Sequence, residues 1–285
     1  MNIFCDSRCT DYSRPGHPER PQRIAQTTPL LEDRHPDWEQ RTPQRASESA
    51  LLRAHSREHV SQIKAATEDF DADTPAYPDI YNHALRSAGA AIDAARAALH
   101  GNRAFSLMRP PGHHATRDRA MGFCYFNNIA VAALDALESG ASRVAIWDFD
   151  AHHGNGTEAI VAGNPRIAFA SIHQVPAYPG TGEKSFDQID NYPVAPGTPR
   201  AEHVALAVGA LRKLLRFKPD LLLVSAGFDA YADDPLVQMT LERDDFAHFG
   251  ERLGQIGIPV AAILEGGYSD DLPELIDAFL SAWVR

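Results

Sequence analysis

Short, almost uninterrupted apolar runs alternate along the chain with longer segments in which apolar positions recur every three or four residues. The runs 2-NIFC-5, 104-AFSLM-108, 143-RVAIWD-148, 166-RIAFAS-171, 220-DLLLVS-225 and 258-IPVAAIL-264 read as strands. Between them, 80-IYNHALRSAGAAIDAARAALH-100, 126-FNNIAVAALDALESG-140, 202-EHVALAVGALRKLL-215 and 243-RDDFAHFGERLGQ-255 carry the helical period. A strand that is apolar at nearly every position has both faces covered, which calls for a parallel sheet with helices packed on it. The pattern predicts an α/β fold, a central mostly parallel sheet flanked by helices, in a single domain over residues 1–285. No run approaches the roughly 20 apolar residues that cross a bilayer, so no membrane partner is expected.

In open parallel sheets ligands bind outside the carboxyl ends of the strands. Straight after the predicted strands stand RPPGHH, DFDAHHGNG, SIHQ, AGFDA and EGGY, so the polar chemistry converges on one edge of the sheet. If 147-WDFDAHHGNGT-157 stays extended, Asp148, Asp150 and His152 share a face. Two carboxylates and an imidazole are costly to bury together without a cation; the plainer alternative is a set of turn-forming groups on a loop. Asp229, just past 220-DLLLVS-225, is the best further ligand, although an Asp in that place is often only a helix N-cap. One His with two Asp suits a catalytic zinc that keeps open positions.

His113 and His114 follow the stiff turn Pro110-Pro111-Gly112. They are either one core and one surface histidine or, beside a metal site, a general base and a general acid. Asp148 and Asn155 are the natural partners of the two rings. A carboxylate partner raises the basicity of one, and a neutral Asn leaves the other near its free value. In 264-LEGGY-268, Tyr268 is either a core tyrosine or a donor to an oxyanion, with Gly266 allowing close backbone approach. Phe123 in 122-GFCYFNN-128 and Tyr178 in 178-YPGTGE-183 either pack in the core or wall a narrow apolar channel.

Composition narrows the partners. The net charge is −11 with no basic stripe, which argues against nucleic acid and tolerates a basic partner such as a lysine-bearing segment or a polyamine. Three cysteines without zinc-finger spacing fit a reduced, cytoplasmic protein, and the N-terminus lacks the pattern of a secretory signal.

Taken together, 17-HPERPQRI-24, RPPGHHA, GFCYFNN, DFDAHHGNGT, SIHQ, PGTG, AGFDA and LEGGY resemble the histone deacetylase superfamily of zinc-dependent deacetylases and acetylpolyamine amidohydrolases, over nearly the whole chain. The resemblance implies the arginase/deacetylase fold, a zinc ion on Asp150, His152 and Asp229, a dyad of His113 and His114, and Tyr268 as oxyanion donor. It pairs Asp148 with His113 and Asn155 with His114, the Asn resembling the class II branch. It also implies potassium near Asp148, Asp150, His152, Ser171 and Ile172, a rim Asp at Asp73, and Arg23 beside an internal product channel. Binuclear arginases of this fold carry further carboxylates where this chain has Gly154 and Tyr231. Polyamine-selective class II relatives place a Glu where this chain has Leu236. The implied activity is hydrolysis of acetyl-lysine amides in proteins or peptides, with small acylated amines as the alternative, in a short chain of bacterial type.

Overall fold

The computed structural model describes residues 1–285. Eight strands form one sheet: β1 (Asn2–Phe4), β2 (Glu39–Arg41), β3 (Ala104–Ser106), β4 (Val144–Asp148), β5 (Ile167–Gln174), β6 (Ile189–Val194), β7 (Leu221–Ala226) and β8 (Val260–Leu264). Their order is β2-β1-β3-β8-β7-β4-β5-β6 and every pairing is parallel. All six strands expected from the apolar runs are present. The two that the pattern missed, β2 and β6, are the edges, where one side meets no partner: EQR has no buried position and IDNYPV mixes buried with open ones. Pro193 inside β6 is tolerated for the same reason, since an edge strand need not donate on both sides. A further difference concerns 171-SIHQ-174, which lies within β5 instead of following it.

Ten helices flank the sheet: α1 (Gln22–Ala25), α2 (Thr27–Arg34), α3 (Glu48–Ala54), α4 (Arg57–Lys64), α5 (Ile80–Leu99), α6 (Asn128–Glu138), α7 (Asn155–Val161), α8 (Arg200–Arg216), α9 (Arg243–Gly254) and α10 (Leu272–Val284). The four long periodic segments became α5, α6, α8 and α9. In α5 the buried Ala91, Ala94, Ala95 and Ala98 recur at three- and four-residue spacing in the core shared with β1, β3 and β8, while Ala84 and Ala88 pack in a second cluster with Leu51 and Phe126. α6 starts later than its apolar pattern because Asn127 caps it, its Oδ1 accepting the Ala130 N–H at 2.9 Å. α9 opens with a capping box between Glu242 and Asp245.

What positions the site is the middle of the sheet. β3, β8, β7 and β4 are adjacent, and their apolar residues are almost wholly buried. Register aligns Ser106 with Ile263, Ile263 with Ser225, and Ser225 with Asp148, so the four strands end level. RPPGHHA, LEGGY, AGFDA and DFDAHHGNGT therefore leave the sheet side by side, although about 155 residues separate the first from the last along the chain. Each buried Val, Leu, Ile or Phe contributes about 1.5–3 kcal/mol, against a cost of several kcal/mol for each buried ion. An apolar foundation of this size holds a polar edge that could not fold alone.

Candidate metal centre and catalytic pocket

β4 ends at Asp148, and the chain then bends instead of continuing extended. Phe149 turns into the core against Trp147 and Phe249. The expectation that Asp148, Asp150 and His152 share one strand face is corrected accordingly. Asp148 turns to His113, and Asp150 with His152 turns to Asp229. The Asp150 N–H donates to Asp148 Oδ1 at 3.1 Å and the His152 N–H to Asp150 Oδ1 at 2.9 Å, which tightens the bend.

Asp150, His152 and Asp229 each offer an atom to a buried cluster no wider than 4.8 Å. His152 Nδ1 lies 2.7 Å from Asp229 Oδ2 and 3.2 Å from Asp150 Oδ1. The outer carboxylate oxygens are held by backbone: Gly266 N–H donates to Asp150 Oδ2 at 2.7 Å, and Ala151 N–H to Asp229 Oδ1 at 2.8 Å. A Cβ on Gly266 would fall 2.5 Å from that Asp150 oxygen, so only glycine allows the approach. Burial, reinforced by the Asp150 charge, pushes the Asp229 carboxyl up to about 7. Burial opposes ionisation of Asp150 too, but His113 and His152 outweigh it and hold its pKa low. Two buried carboxylates competing for one imidazole form a donor set that fits a divalent cation.

Beside this cluster, His113 Nδ1 donates to Asp148 Oδ2 at 3.0 Å and His114 Nδ1 to Asn155 Oδ1 at 2.8 Å. The ring centroids are 4.0 Å apart. Burial disfavours a charge on His113, yet Asp150 and Asp148 overcome it and raise the pKa to about 10. Burial, then the charges of His113 and His152, depress His114 well below its ordinary value. The sequence led to the first direction; it left His114 near its free value because full burial between two other imidazoles was not visible.

A pocket of about 390 Å³ opens over His114 and His152, lined also by His17, Pro18, Asp73, Gly122, Phe123, Tyr178, Leu236 and Tyr268. Tyr178 stands edge-on to His114 at 5.1 Å and Phe123 edge-on to Tyr268 at 5.6 Å. Gly266, expected in this channel, lies behind it against Asp150. Burial pushes the Tyr268 phenol well above its usual range, so it stays a proton donor. The Arg23 guanidinium sits 5.0 Å over the Tyr268 ring and donates to the Gly267 carbonyl at 2.7 Å. Ser171 is paired in register with Asp148, and Ile172 follows it; both are buried.

Three acids escaped the reading of the sequence. Glu19 is buried and takes Arg109 Nη2 at 2.9 Å and Arg23 Nη1 at 3.2 Å, tying HPERPQRI to RPPGHHA. Asp234 accepts the Tyr268 N–H at 2.7 Å. Glu265 accepts the N–H groups of Gly112 and His113. The signal for Glu265 was present: an acid directly after an all-apolar strand, the feature that drew attention to Asp148.

Residues 17–282 match the family model described as the histone deacetylase domain. An uncharacterized protein of Synechocystis sp. is 41% identical, the match covering 92% of this chain and 90% of that protein. A probable deacetylase of Methanothermobacter thermautotrophicus is 38% identical over 82% of this chain and 75% of its own. Among solved structures, an acetylpolyamine aminohydrolase from Burkholderia pseudomallei superposes with a TM-score of 0.91 at 27% identity, covering 99% of this chain and 98% of that one. The chain belongs to the histone deacetylase family.

Proposed function

We propose that the chain hydrolyses N-acyl amides and removes acetyl groups from N-ε-acetyl-lysine side chains, with one zinc ion held by Asp150, His152 and Asp229. Family membership supports amide deacetylation. The observation that carries the residue assignment is the meeting, under one narrow pocket, of the buried Asp–His–Asp cluster with two imidazoles of opposite proton preference. Zinc bound there supplies a Lewis acid that polarises a carbonyl and lowers the pKa of water.

The chain's own residues divide the proton work. An amide oxygen only accepts, so the bond to Asn155 Oδ1 fixes the proton of His114 on Nδ1 and leaves Nε2 with its lone pair. Its depressed pKa keeps that ring neutral near pH 7 and ready as general base. His113 is biased the other way. Asp148 takes its Nδ1–H and favours the imidazolium, whose Nε2–H protonates the departing amine. A cation on Asp150 removes part of that field, while Asp148 remains. Tyr268 donates to the oxyanion, Phe123 and Tyr178 wall the aliphatic stem of the substrate, and Asp73 meets its backbone at the rim. A Cβ at Gly154 would lie 2.2 Å from Asp148 Oδ2, leaving no room for a second carboxylate and favouring a single catalytic metal. Potassium on the inner side of Asp148, with Ser171 and Ile172, would offset the buried acids.

A second reading, deacetylation of small acylated amines such as acetylpolyamines, is favoured by the likeness to the Burkholderia pseudomallei structure. Against it stands the uncharged Leu236 at the mouth. A wider depression of about 670 Å³, sharing His17, Pro18, Leu236 and Tyr268 with the pocket, also gives room for a peptide flanking the lysine. The test is turnover of acetyl-lysine peptides against acetylputrescine by zinc-loaded protein, with Asp150→Asn as the blank. Higher kcat/KM on peptides supports the proposal, faster turnover of acetylputrescine reverses the ranking, and hydrolysis of neither substrate overturns both readings.

A further inference from the structure

Glu265 is fully buried and belongs to no step described above. Its Oε2 accepts the Gly112 N–H at 2.7 Å and the His113 N–H at 3.1 Å, while Oε1 lies 3.3 Å from Ser225 Oγ. The loop it grips has a peculiar supply of bonds. Pro110 and Pro111 carry no N–H, so Gly112 and His113 offer the first two donors after Arg109. The carbonyls of the same stretch are held from other directions. Pro110 O accepts from Ser87 and Asn128, and His113 O accepts from the N–H groups of Gly156 and Thr157. Glu265 alone holds the nitrogen side. The next residue, Gly266, holds Asp150 through its N–H, so one strand end sets the height of both the imidazole loop and a metal-cluster carboxylate.

We infer that Glu265 is a positioning residue: by accepting two consecutive backbone N–H groups it places the His113 ring on Asp148 and carries His114 with it over the Asp150–His152–Asp229 cluster. The catalytic consequence rests on the proposed amide hydrolysis; the geometry does not. The required element is an acceptor oxygen at this distance, not a charge. Burial lifts the carboxyl to about 7, held back by His113 and by the Gly112 N–H, and the oxygen accepts in either protonation state.

Two variants separate acceptor from charge. Glu265→Gln keeps an oxygen in place and loses the charge, with its NH2 free to meet Ser225 Oγ. Glu265→Asp keeps the charge and withdraws the oxygen by one methylene. Two readouts are needed, the first independent of substrate: the low-field imidazole proton of His113 Nδ1–H in NMR spectra, assigned by its loss in His113→Gln. The second is kcat and KM on an acetyl-lysine peptide. Glu265→Gln should keep the resonance and nearly all of kcat. Glu265→Asp should shift or broaden it and lower kcat by roughly 10–100-fold, the scale of a misplaced catalytic group, with KM little changed. The inference is overturned if Glu265→Asp leaves the resonance in place, or if Glu265→Gln is impaired as badly as Glu265→Asp. Should the wild-type protein hydrolyse no acetyl amide, the proposed function fails while the resonance alone still decides the role of Glu265.

Discussion

The floor and the mouth of the pocket are built differently. On the floor Asp148, Asp150, Asp229 and Glu265 are wholly buried, and each carboxylate takes bonds from at least two directions. At the mouth Tyr178 is 38% exposed and Leu236 36%. The Tyr178 loop is pinned from below, through His153 to Thr181 at 2.8 Å and His173 to the Gly182 carbonyl at 3.0 Å, but the Tyr178 ring itself is held by packing, edge-on to His114 and against Gly122. A group fixed by several buried bonds cannot move without leaving one unpaired, at about 1–3 kcal/mol each. A half-exposed rim side chain held by packing alone adjusts at less cost. In the proposed function, the rigid floor suits the chemistry and the adjustable mouth suits the choice of substrate.

The sharpest way to break that division is His114→Ala. As general base it should cost at least about a hundredfold in kcat, with binding of a substrate-length ligand nearly intact. Because its pKa is depressed, the wild-type kcat/KM should rise with pH through a pKa below the ordinary ~6.5 and be flat by neutrality. Near wild-type turnover in the variant would remove His114 from the mechanism. Tyr268→Phe should lose a similar factor, on the scale of one oxyanion donor.

Metal removal gives a smaller effect, read as stability. An ion bound at a hundred times its Kd stabilises the native state by about 2.7 kcal/mol, worth about 4–5 °C in Tm for a chain of 285 residues. Chelation should lower Tm by that order. It should also speed amide exchange at Gly266 and Ala151, whose N–H groups hold Asp150 and Asp229, while leaving Leu236 unaffected. An unchanged Tm and unchanged exchange would mean that the cluster holds no ion in the native protein.

Legibility in the sequence followed the same division. The central strands were readable because burial on both faces writes a continuous apolar run, and their ends were readable because His and Asp clusters there have few other uses. β2 and β6 were not, since an edge strand imposes no such pattern. The bend after Asp148 escaped because alternation assumes that a strand continues. Glu265 stood at a strand end that marked it, but its grip on the Gly112 and His113 N–H groups, like that of Asp234 on the Tyr268 N–H, joins residues far apart in the chain and no side-chain spacing reveals it. Phe123, Tyr178 and Leu236 could be named individually, but only the fold brings Asp73, Leu236 and Tyr268 around one opening.

The smallest expected effect tests the mouth. Leu236→Glu adds a second carboxylate to a pocket wall that already carries Asp73. Two unit charges a few ångströms apart in water interact by about 1 kcal/mol, and salt screens them further. The change is therefore worth at most about fivefold in the ratio of kcat/KM for acetylputrescine over an acetyl-lysine peptide of neutral flanks. It should act by lowering KM for the cationic amine, raise that ratio, and fade at high ionic strength. The Asp150, His152 and Asp229 cluster and both imidazoles keep their bonds in this variant, so kcat on a small neutral acetyl amide should not change. A fall in that kcat would show that mouth and floor are mechanically joined and that the division between them is drawn in the wrong place.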